Sequence, residues 1–204
     1  MLNRIRIRRA LIGGITTALI AAAPAAASRE LSAPCNAAGA EKVFAPFGDN
    51  RDYVAVQDGG FEAGGDGWTL SPGATVVDEN ESYYLGETTD IKSLKLEDGA
   101  SAVSAPTCVG LDTPKFRLVH RGPDSSEARL KVEVIYLEVE RKTSRVAGEL
   151  RSDGTWAPSP RLSVGVNKAG DDNADGLGTV AFRVTAVGGS YSVDDVYLDP
   201  RMRR

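Results

Sequence analysis

Histidine is nearly absent from this 204-residue chain, in which His120 is the only one. A single imidazole excludes zinc sites built from several histidines and argues against Ser-His-Asp or Cys-His catalysis. The 28 acidic residues offer many carboxylate pairs of the glycosidase type, but no pair is marked by its surroundings. We therefore expect a protein that is not an enzyme, in which His120 is a structural or surface residue.

Long apolar runs are absent outside the N-terminus. Residues 1–9 carry four arginines and no acid, residues 10–23 are apolar and uncharged, and a Pro-Ala-Ala-Ala run ends at residue 27. These features are typical of a secretory signal peptide with a small-residue cleavage site. The uncharged stretch is also barely long enough for a membrane anchor, but its alanine, glycine and proline content favours cleavage before Ser28. We predict a secreted, extracellular protein with no membrane span after cleavage.

Basic clusters are also lacking. Removing residues 1–27 takes away four positive charges and shifts the formal net charge from −4 to −8. An acidic chain without grouped lysines or arginines is a poor match for nucleic acid or for anionic membrane surfaces. We expect the partner to be a glycan or a protein of the cell envelope, and no nucleic acid.

Cysteine occurs twice, as Cys35 and Cys108. An even number in an exported protein usually means pairing, and two cysteines allow one intramolecular bridge. In the chain-entropy model, closing a loop of 73 residues stabilises the fold by about 4 kcal/mol before native strain is subtracted. The alternative is two buried thiols. We predict the bridge, since no C-x-x-C pair and no nearby histidine suggests a metal site.

Short apolar bursts separated by glycine, proline, asparagine and aspartate fill residues 46–200. This rhythm is typical of short strands joined by tight turns, and no window holds a convincing helical period. We predict an all-β domain over these residues, a two-sheet antiparallel β-sandwich of the jelly-roll type. An extended arm is expected at residues 28–45 and a short tail at residues 201–204. The strands placed individually are residues 53–57, 68–70, 74–78, 91–97, 115–120, 129–140, 179–187 and 190–198.

One loop resembles the start of a calcium-binding loop. Asp171, Asn173 and Asp175 follow the pattern D-x-N-x-D-G, in which alternate oxygen side chains converge on a hard cation. The twelfth position of the pattern is Phe182, where a bidentate glutamate is needed. A solvated hairpin loop is therefore the preferred interpretation.

An acidic pair interrupts the apolar last strand, V-D-D-V-Y-L at residues 193–198. Strand alternation places Asp194 on one face and Asp195 on the other, so one of the two must point towards the core. An unpaired buried carboxylate costs several kcal/mol, so it needs a cation, a cage of hydrogen bonds or a local opening. The alternative to a cation is that the two aspartates accept backbone or arginine hydrogen bonds, with Arg183 on the neighbouring strand as the arginine partner.

The same terminal strand carries a family resemblance. Together with G-G-F-E at residues 59–62 and G-W-T-L at residues 67–70, it resembles the opening and closing strands of galactose-binding-like jelly rolls. Carbohydrate-binding modules of families 4, 9 and 22 are similar in this way. The resemblance implies that the first and last strands lie together near a structural calcium ion, with Glu62 and one of Asp194 or Asp195 as ligands.

A second likeness is to small exported proteins of high-GC bacteria. The segments that carry it are residues 44–49, 60–62, 67–70, 108–111 and 193–200. It supports the fold and the disulfide and brings no activity with it.

Aromatic residues are few, and sugar sites commonly stack a pyranose ring on an exposed aromatic face. Trp68 follows a glycine at a strand start and is expected in the core. Tyr83 and Tyr84 are adjacent, so in a strand one ring would face outwards, and Trp156 is expected on a loop. The candidate ligand-binding residues are Tyr83, Tyr84, Tyr136, Trp156 and Tyr197. The alternative is that the tyrosines are scattered and half-buried.

Three functions compete. A binding module for an extracellular or cell-wall carbohydrate, which we favour, predicts two or three aromatic rings on one exposed sheet face. A structural or protein-interaction domain of the cell envelope predicts an aromatic-poor concave face and an exposed apolar patch elsewhere. A secreted hydrolase or lyase would need a cleft with converging titratable groups.

Overall fold

The computed structural model describes residues 39–110, 114–137, 143–165 and 177–199. Several predicted features lie outside these ranges: the signal peptide, most of the N-terminal arm, Cys35, the loop with Asp171, Asn173 and Asp175, and the C-terminal tail. No helix within the described ranges is long and apolar enough to cross a membrane.

About half of the described residues form strands, and these are preceded by one 3-10 turn at Ala45–Phe47. In chain order the strands are β1 (Val54–Ala55), β2 (Thr69–Leu70), β3 (Ala74–Val77), β4 (Ser93–Leu96), β5 (Ser101–Val103), β6 (Thr107–Gly110), β7 (Lys115–Arg121), β8 (Arg129–Tyr136), β9 (Thr143–Leu150), β10 (Ala157–Pro158), β11 (Leu162–Ser163), β12 (Leu177–Val187) and β13 (Tyr191–Asp199).

These strands form two antiparallel sheets. The first sheet has the order β10-β7-β13-β4-β3, with β1 also paired to β13 and β11 to β7. The second sheet has the order β2-β5-β12-β8-β9, with β6 also paired to β12. The predicted all-β sandwich is confirmed, and the first and last strands lie together, with Val54 opposite Leu198.

The main core lies between the sheets and is built from alternate residues of the long strands. Val132 and Val134 of β8 and Val180 and Phe182 of β12 are buried there, as the period-2 alternation predicts. The ring of Phe182 packs against that of Phe116 in β7, with centroids 4.4 Å apart. Burying a side chain of this size stabilises the fold by about 1.5–3 kcal/mol.

The other face of the first sheet is also covered. A second buried cluster there consists of Phe44, Tyr53, Val119 and Trp156. The Arg117 guanidinium lies 4.3 Å from the centre of the Phe44 ring and forms an ion pair with Asp49 at 3.2 Å. Because this cluster uses Phe44, the described end of the predicted arm packs against the sheet, and Glu41 forms a β-bridge with Tyr53.

Five strands are missing from the sequence-based prediction: β5, β6, β9 and the two-residue strands β10 and β11. β9 has no apolar face, because Leu150 is its only fully buried residue, and β6 is buried throughout and so shows no alternation. The strand predicted over residues 129–140 ends at Tyr136 in β8. The strands predicted at residues 53–57 and 91–97 are shortened to β1 and β4.

Cys108 lies in β6, and its side chain is buried. In the antiparallel register it lies opposite Thr179 of β12. Cys35 lies outside the described residues, so its pairing with Cys108 stays a prediction.

Reduction should destabilise the mature protein. If Cys35 and Cys108 are bridged, thiol titration of the unfolded, unreduced chain should find close to no free thiol. The loop-closure contribution of about 4 kcal/mol should make reduction lower the melting temperature by on the order of 10 °C. Two free thiols per unreduced chain would contradict the bridge.

Candidate functional site

The last strand is irregular where the acidic pair occurs. β13 pairs regularly with β7 up to Asp194, and the register then shifts before Tyr197. Asp195 has a φ of +51°, in the left-handed region. Beyond it, the N–H of Val196 donates to the Gly59 carbonyl at 3.0 Å, and the Val196 carbonyl accepts the N–H of Val56 at 2.9 Å. This is a β-bulge, which turns a strand and redirects its side chains.

The bulge buries both aspartates. Asp194 is 1% exposed and Asp195 is 4% exposed. Strand alternation predicts that the two carboxylates lie on opposite faces. Val193 and Val196, on either side of the pair, both belong to the main core, so the bulge accommodates one extra residue and that expectation is wrong. Alternation holds only while φ stays extended, and the left-handed residue breaks it.

Gly59 in the G-G-F-E segment is required by this arrangement. A Cβ atom at residue 59 would lie 2.5 Å from the Val196 carbonyl oxygen, closer than van der Waals contact allows. The close approach of the two main chains explains why a glycine precedes Phe61 and Glu62 in this part of the sequence.

Asp194 is held by the main chain. Its carboxylate accepts the N–H of Asp195 at 2.9 Å and the N–H of Glu81 at 3.1 Å. Burial, followed by the neighbouring Asp195 carboxylate, nevertheless raises the pKa of Asp194 to about 9. Two hydrogen bonds do not offset the loss of solvent around this group.

Glu81 is a third buried acid, which sequence reasoning missed. It is 1% exposed, and its carboxylate accepts the main-chain N–H groups of Tyr83 and, at 2.7 Å, Leu85. Burial, followed by the charge and hydrogen bonding of Glu81, raises the pKa of Asp195 to about 8. In the sequence, Glu81 is one of two glutamates in the loop segment E-N-E at residues 79–81, and this pattern does not indicate that it is buried.

Within the part of the chain that the structure describes, these three acids have no basic partner. None of the described lysines or arginines forms an ion pair with Glu81, Asp194 or Asp195. Arg183, the predicted alternative partner, lies in the second sheet and pairs with Glu133 at 2.8 Å. Arg183 is therefore wrong as the partner, whereas the main-chain hydrogen bonds of the same alternative are present at Asp194.

Asp195 lies at the wall of a cavity of about 340 Å³, which we term the acidic cavity. Its carboxylates are Glu41, Asp58, Glu62, Glu87, Asp90 and Asp195, and its aromatic residues are Tyr53 and Tyr197. Among the residues that the structure describes, no lysine or arginine lines it. Tyr197 is half-buried and offers the aromatic surface of this cavity.

Loops around the acidic cavity are held by carboxylates that accept main-chain N–H groups. Glu62 accepts from Ile91 at 2.9 Å and from Lys92 at 2.7 Å. Asp90 accepts from Glu87 at 2.7 Å. These bonds fix the side chains of Glu62 and Asp90 in place. They use one oxygen of each carboxylate and leave the other oxygen without a main-chain N–H donor.

The predicted metal ligands are only partly brought together. Glu62 and Asp195 line the same cavity, whereas Asp194 lies behind it. Within the described ranges, no three histidine, cysteine, aspartate or glutamate side chains are grouped closely enough to bind a metal ion as they stand. Oxygen donors and uncompensated negative charge do suit calcium, which can complete its shell with main-chain carbonyls and water.

The predicted ligand-binding aromatics divide into two groups. Tyr83 and Tyr84 are 41% and 50% exposed and lie in a turn, not in a strand. The Tyr83 hydroxyl donates to the Trp156 carbonyl at 2.7 Å. Gly86 and Glu87, a few residues further along the same loop, line the acidic cavity, as does Tyr197.

Tyr136 and Trp156 cannot offer a ring to a ligand. Tyr136 is fully buried between the sheets, where its hydroxyl donates to the Val164 carbonyl at 2.8 Å. Trp156 is buried in the second cluster, with the Arg121 guanidinium 5.0 Å from its ring centre. Burial contradicts their prediction as ligand contacts, because Tyr136 faces the main core and Trp156 is covered by the Phe44 segment, which the pattern of the sequence does not reveal.

The outer face of the second sheet carries charge and no aromatic ring. Tyr136 and Phe182 are the aromatic residues of its described strands, and both belong to the main core. On the other face, Glu133 bridges Arg183 at 2.8 Å and Lys131 at 3.2 Å. The accessible aromatic residues therefore belong to loops and to the first sheet.

Comparisons with known proteins return structures only. No protein-family model matches the chain, and no curated protein matches it. Several of the similar solved structures are carbohydrate-binding modules. The family 16 carbohydrate-binding module 2 matches 71% of this chain and 99% of its own, at 17% identity and a TM-score of 0.48.

Two xylanase-derived structures are also similar. The CBM22-1 xylan-binding domain of Paenibacillus barcinonensis Xyn10C matches 74% of this chain and 94% of its own, at 11% identity and a TM-score of 0.45. The CBM22-1 and GH10 modules of Clostridium thermocellum endo-1,4-β-D-xylanase 10B, solved with xylohexaose, match at 16% identity and a TM-score of 0.47. That match covers 71% of this chain and 27% of the xylanase chain.

The sequence identities and TM-scores are too low to assign the role of any residue in this chain from those structures. The likeness to small exported proteins of high-GC bacteria stays a prediction.

The buried aspartates predict an unusual dependence of stability on pH. Without divalent cations, the free energy of unfolding should rise as the pH falls from 8 to 6.5. An unfolded aspartate has a pKa of about 3.9. Because the folded pKa values are about 9 and about 8, the folded protein binds more protons than the unfolded chain in this window. Each aspartate contributes at most about 1.4 kcal/mol per pH unit.

Urea unfolding in the presence of a chelator measures this change. Asp195→Asn should make the free energy of unfolding depend less steeply on pH. Asp124→Asn, at an exposed position, should leave that dependence unchanged. Below pH 6.5 the rise in the free energy of unfolding should weaken. Burial lowers the pKa of His120 to about 4, so in this range the histidine takes up a proton when the protein unfolds, which favours the unfolded state. Stability that stays constant or falls between pH 8 and 6.5 would contradict the burial of the pair.

Proposed function

We propose that this protein is a secreted, non-catalytic binding module for an extracellular or cell-wall carbohydrate, with the acidic cavity as its binding site. The observation that carries the proposal is the pairing of an accessible ring, Tyr197, with fixed carboxylates in one concave site. Small-molecule sites combine an apolar surface with a few placed polar groups in the same way. Carboxylates accept hydrogen bonds from sugar hydroxyls, and a tyrosine ring can pack on the C–H face of a pyranose.

The ring of Tyr197 is held in position by its neighbours. Its edge-to-face partner is Phe44, with ring centroids 5.9 Å apart. Burial, followed by the charge of Asp195, raises the pKa of the Tyr197 hydroxyl, so the phenol stays protonated at neutral pH. A fixed, uncharged ring beside carboxylates favours a neutral polyhydroxylated ligand over an anion.

Tyr83 and Tyr84 could extend such a site. They precede Gly86 and Glu87 on the loop that borders the acidic cavity, and their rings are half-exposed. Glu81 anchors this loop through the N–H groups of Tyr83 and Leu85. A chain of several sugar units could therefore continue from Tyr197 towards this loop.

A second function is favoured by the outer face of the second sheet. That face lacks aromatic rings and carries the Lys131–Glu133–Arg183 ion-pair network. A sheet face without aromatic rings offers no surface on which a pyranose ring can stack, as expected for a structural domain of the cell envelope. In that case the protein is a structural or protein-interaction domain.

We also propose that a calcium ion stabilises the acidic cavity, with Glu62 and Asp195 as its ligands. Asp194 and Asp195 are buried without a basic partner and hold protons at neutral pH in the metal-free protein, and a bound cation would replace the proton of Asp195 and compensate its charge. Asp194 would then position the bulge through its main-chain bonds. Calcium would neutralise the site and tie the Glu62 turn to β13.

Removing the Tyr197 ring should weaken carbohydrate binding. Tyr197→Ala should weaken retention on the polysaccharide that the wild type binds by at least about tenfold, because losing about 1.4 kcal/mol of ring contact has that effect. Tyr197→Phe keeps the ring and should bind. A glycan array identifies the polysaccharide, and affinity electrophoresis measures retention.

Tyr84→Ala distinguishes binding in the acidic cavity from binding on the loop that carries Tyr83 and Tyr84. Retention unchanged in Tyr84→Ala but lost in Tyr197→Ala places the site in the acidic cavity, and the reverse pattern places it on the loop. If the wild type binds no glycan while it captures an envelope protein through the Lys131–Glu133–Arg183 face, the structural alternative replaces the proposal.

Calcium should raise the melting temperature. At a free calcium concentration a hundred times the dissociation constant, binding to the folded state contributes about 2.7 kcal/mol. Melting curves in EDTA and in millimolar calcium should differ by several degrees for the wild type and for the control Asp124→Asn. They should coincide for Glu62→Gln and Asp195→Asn.

No calcium-dependent shift in the wild type would contradict the site. A shift that survives both substitutions and Asp194→Ala would move the ion elsewhere, with Asp171, Asn173 and Asp175 as the next candidates.

A further inference from the structure

The negative charge of the acidic cavity is not balanced by the protein around it. Six carboxylates line this cavity, those of Glu41, Asp58, Glu62, Glu87, Asp90 and Asp195. Within the part of the chain that the structure describes, none of the six forms an ion pair. Acids elsewhere on the surface do find basic partners, as Asp52 does in Lys42 at 2.8 Å and Asp78 in Lys92 at 2.7 Å. A ligand of the cavity therefore meets unpaired negative charge.

The carboxylates converge on one aromatic ring, that of Tyr197. Burial is the largest cause that raises the pKa of its hydroxyl, and the charges of Asp195, Asp90 and Glu41 follow. These acids come from β13, from the loop between β3 and β4, and from the segment before β1, so three separate parts of the chain bring a carboxylate to the same phenol. A tyrosine ring attracts a cation to its face through its quadrupole, and nearby carboxylates add to that attraction. Ring and acids together suit an ammonium group.

Ala55 of β1 leaves space beside this ring. It lies opposite Tyr197 in the antiparallel register, so the two side chains share a face of the sheet. Ala55 is exposed and lines the acidic cavity, and Tyr197 is only half-buried. A longer side chain at residue 55 would lie beside the ring, and a ligand can use the same space.

Glu41 and Glu87 are the cavity acids that remain free to pair with a ligand. Both are exposed, and neither side chain forms a hydrogen bond or an ion pair with a described residue. Asp58, by contrast, uses both oxygens on main-chain N–H groups, those of Ala63 at 2.9 Å and Gly65 at 2.6 Å. The calcium ion proposed above would use Glu62 and Asp195, so Glu41 and Glu87 stay unpaired whether or not it is bound.

We propose that the acidic cavity selects a glycan that carries positively charged amino groups, such as a chain of glucosamine units without N-acetyl groups. This inference rests on the proposed function, because it names the class of glycan for the same site. An ammonium group of the sugar would lie by the Tyr197 ring and near the carboxylates of Glu41 and Glu87. A neutral sugar would use the ring and leave these charges unpaired, and an anionic sugar would be repelled.

The test compares two tetrasaccharides with the same β-1,4 backbone, a glucosamine tetramer and its fully N-acetylated form. Calorimetric titration of the secreted protein at about pH 6, where the amines are protonated, gives both dissociation constants, and EDTA removes competing metal ions. We expect the glucosamine tetramer to bind at least tenfold more tightly at low salt. Raising the ionic strength from about 0.05 M to about 0.5 M should reduce this preference, because salt screens exposed charges. Tyr197→Ala should weaken both tetramers, because both use the ring.

Two double variants with the same change in net charge locate the preference. Glu41→Gln with Glu87→Gln should reduce the preference about fivefold, since one exposed charge pair changes an affinity by about 1.4- to 5-fold. Asp124→Asn with Glu127→Gln removes two exposed acids that do not line the cavity and should leave the preference unchanged.

Substitutions at Ala55 separate charge from bulk beside the ring. Ala55→Met and Ala55→Lys add side chains of similar length at an exposed position, but only the lysine adds a positive charge. Ala55→Met should weaken both tetramers by the same factor and keep the preference. Ala55→Lys should abolish the preference, because its ammonium group pairs with the cavity acids and repels that of the sugar.

The outcomes separate this inference from the proposed function. If the N-acetylated tetramer binds as tightly as the glucosamine tetramer, the amine preference is refuted and a neutral glycan site remains. A preference that falls equally in the two double variants comes from the net charge of the protein, which also refutes it. If neither tetramer binds, the amine-sugar ligand is refuted and the glycan array decides the proposed function. If tetralysine then binds and Tyr197→Ala weakens it, the partner is a basic peptide and the glycan function fails too.

Discussion

The site depends on one turn of the main chain, the left-handed residue Asp195 in the last strand. β13 is central to the first sheet, where it pairs with β7, β4 and β1. At Asp195 it leaves the regular pairing with β7, and Val196 then bonds to the chain around Gly59. A left-handed non-glycine residue is held only where its surroundings determine it. Here the surroundings are a glycine that allows close approach and Asp194, which accepts the Asp195 N–H.

The bulge sets the electrostatics of the surrounding loops. It buries two carboxylates next to Glu81, and no described basic side chain pairs with them. Other acids nearby serve as anchors: Glu62 holds the chain at Ile91, and Asp58 holds Gly65 at 2.6 Å. Acidic side chains thus fix the loops, and the same side chains concentrate negative charge at one concave place. A site of this kind favours hydroxyl donors or a hard cation.

The sequence predicts most of the fold and little of the site. Alternation in β8 and β12 identifies their buried faces correctly, because nothing interrupts the extended chain there. Alternation fails at Asp195, because a single residue with positive φ moves the side chains that follow it to the opposite face of the strand. Burial of Trp156 depends on a contact with a segment over a hundred residues away, which no local pattern encodes. Glu81 is acidic and lies in a loop, so only the folded structure shows that it is buried.

The central claim is that Asp194 and Asp195 are both buried without a basic partner. The most direct measurement is an NMR titration of the side-chain carboxyl carbons of the metal-free protein. The account predicts that both carboxyl groups remain protonated at neutral pH and titrate near pH 8 to 9. Titration of both groups below pH 5, as for solvated aspartates, would show that the bulge does not bury them and would contradict the account.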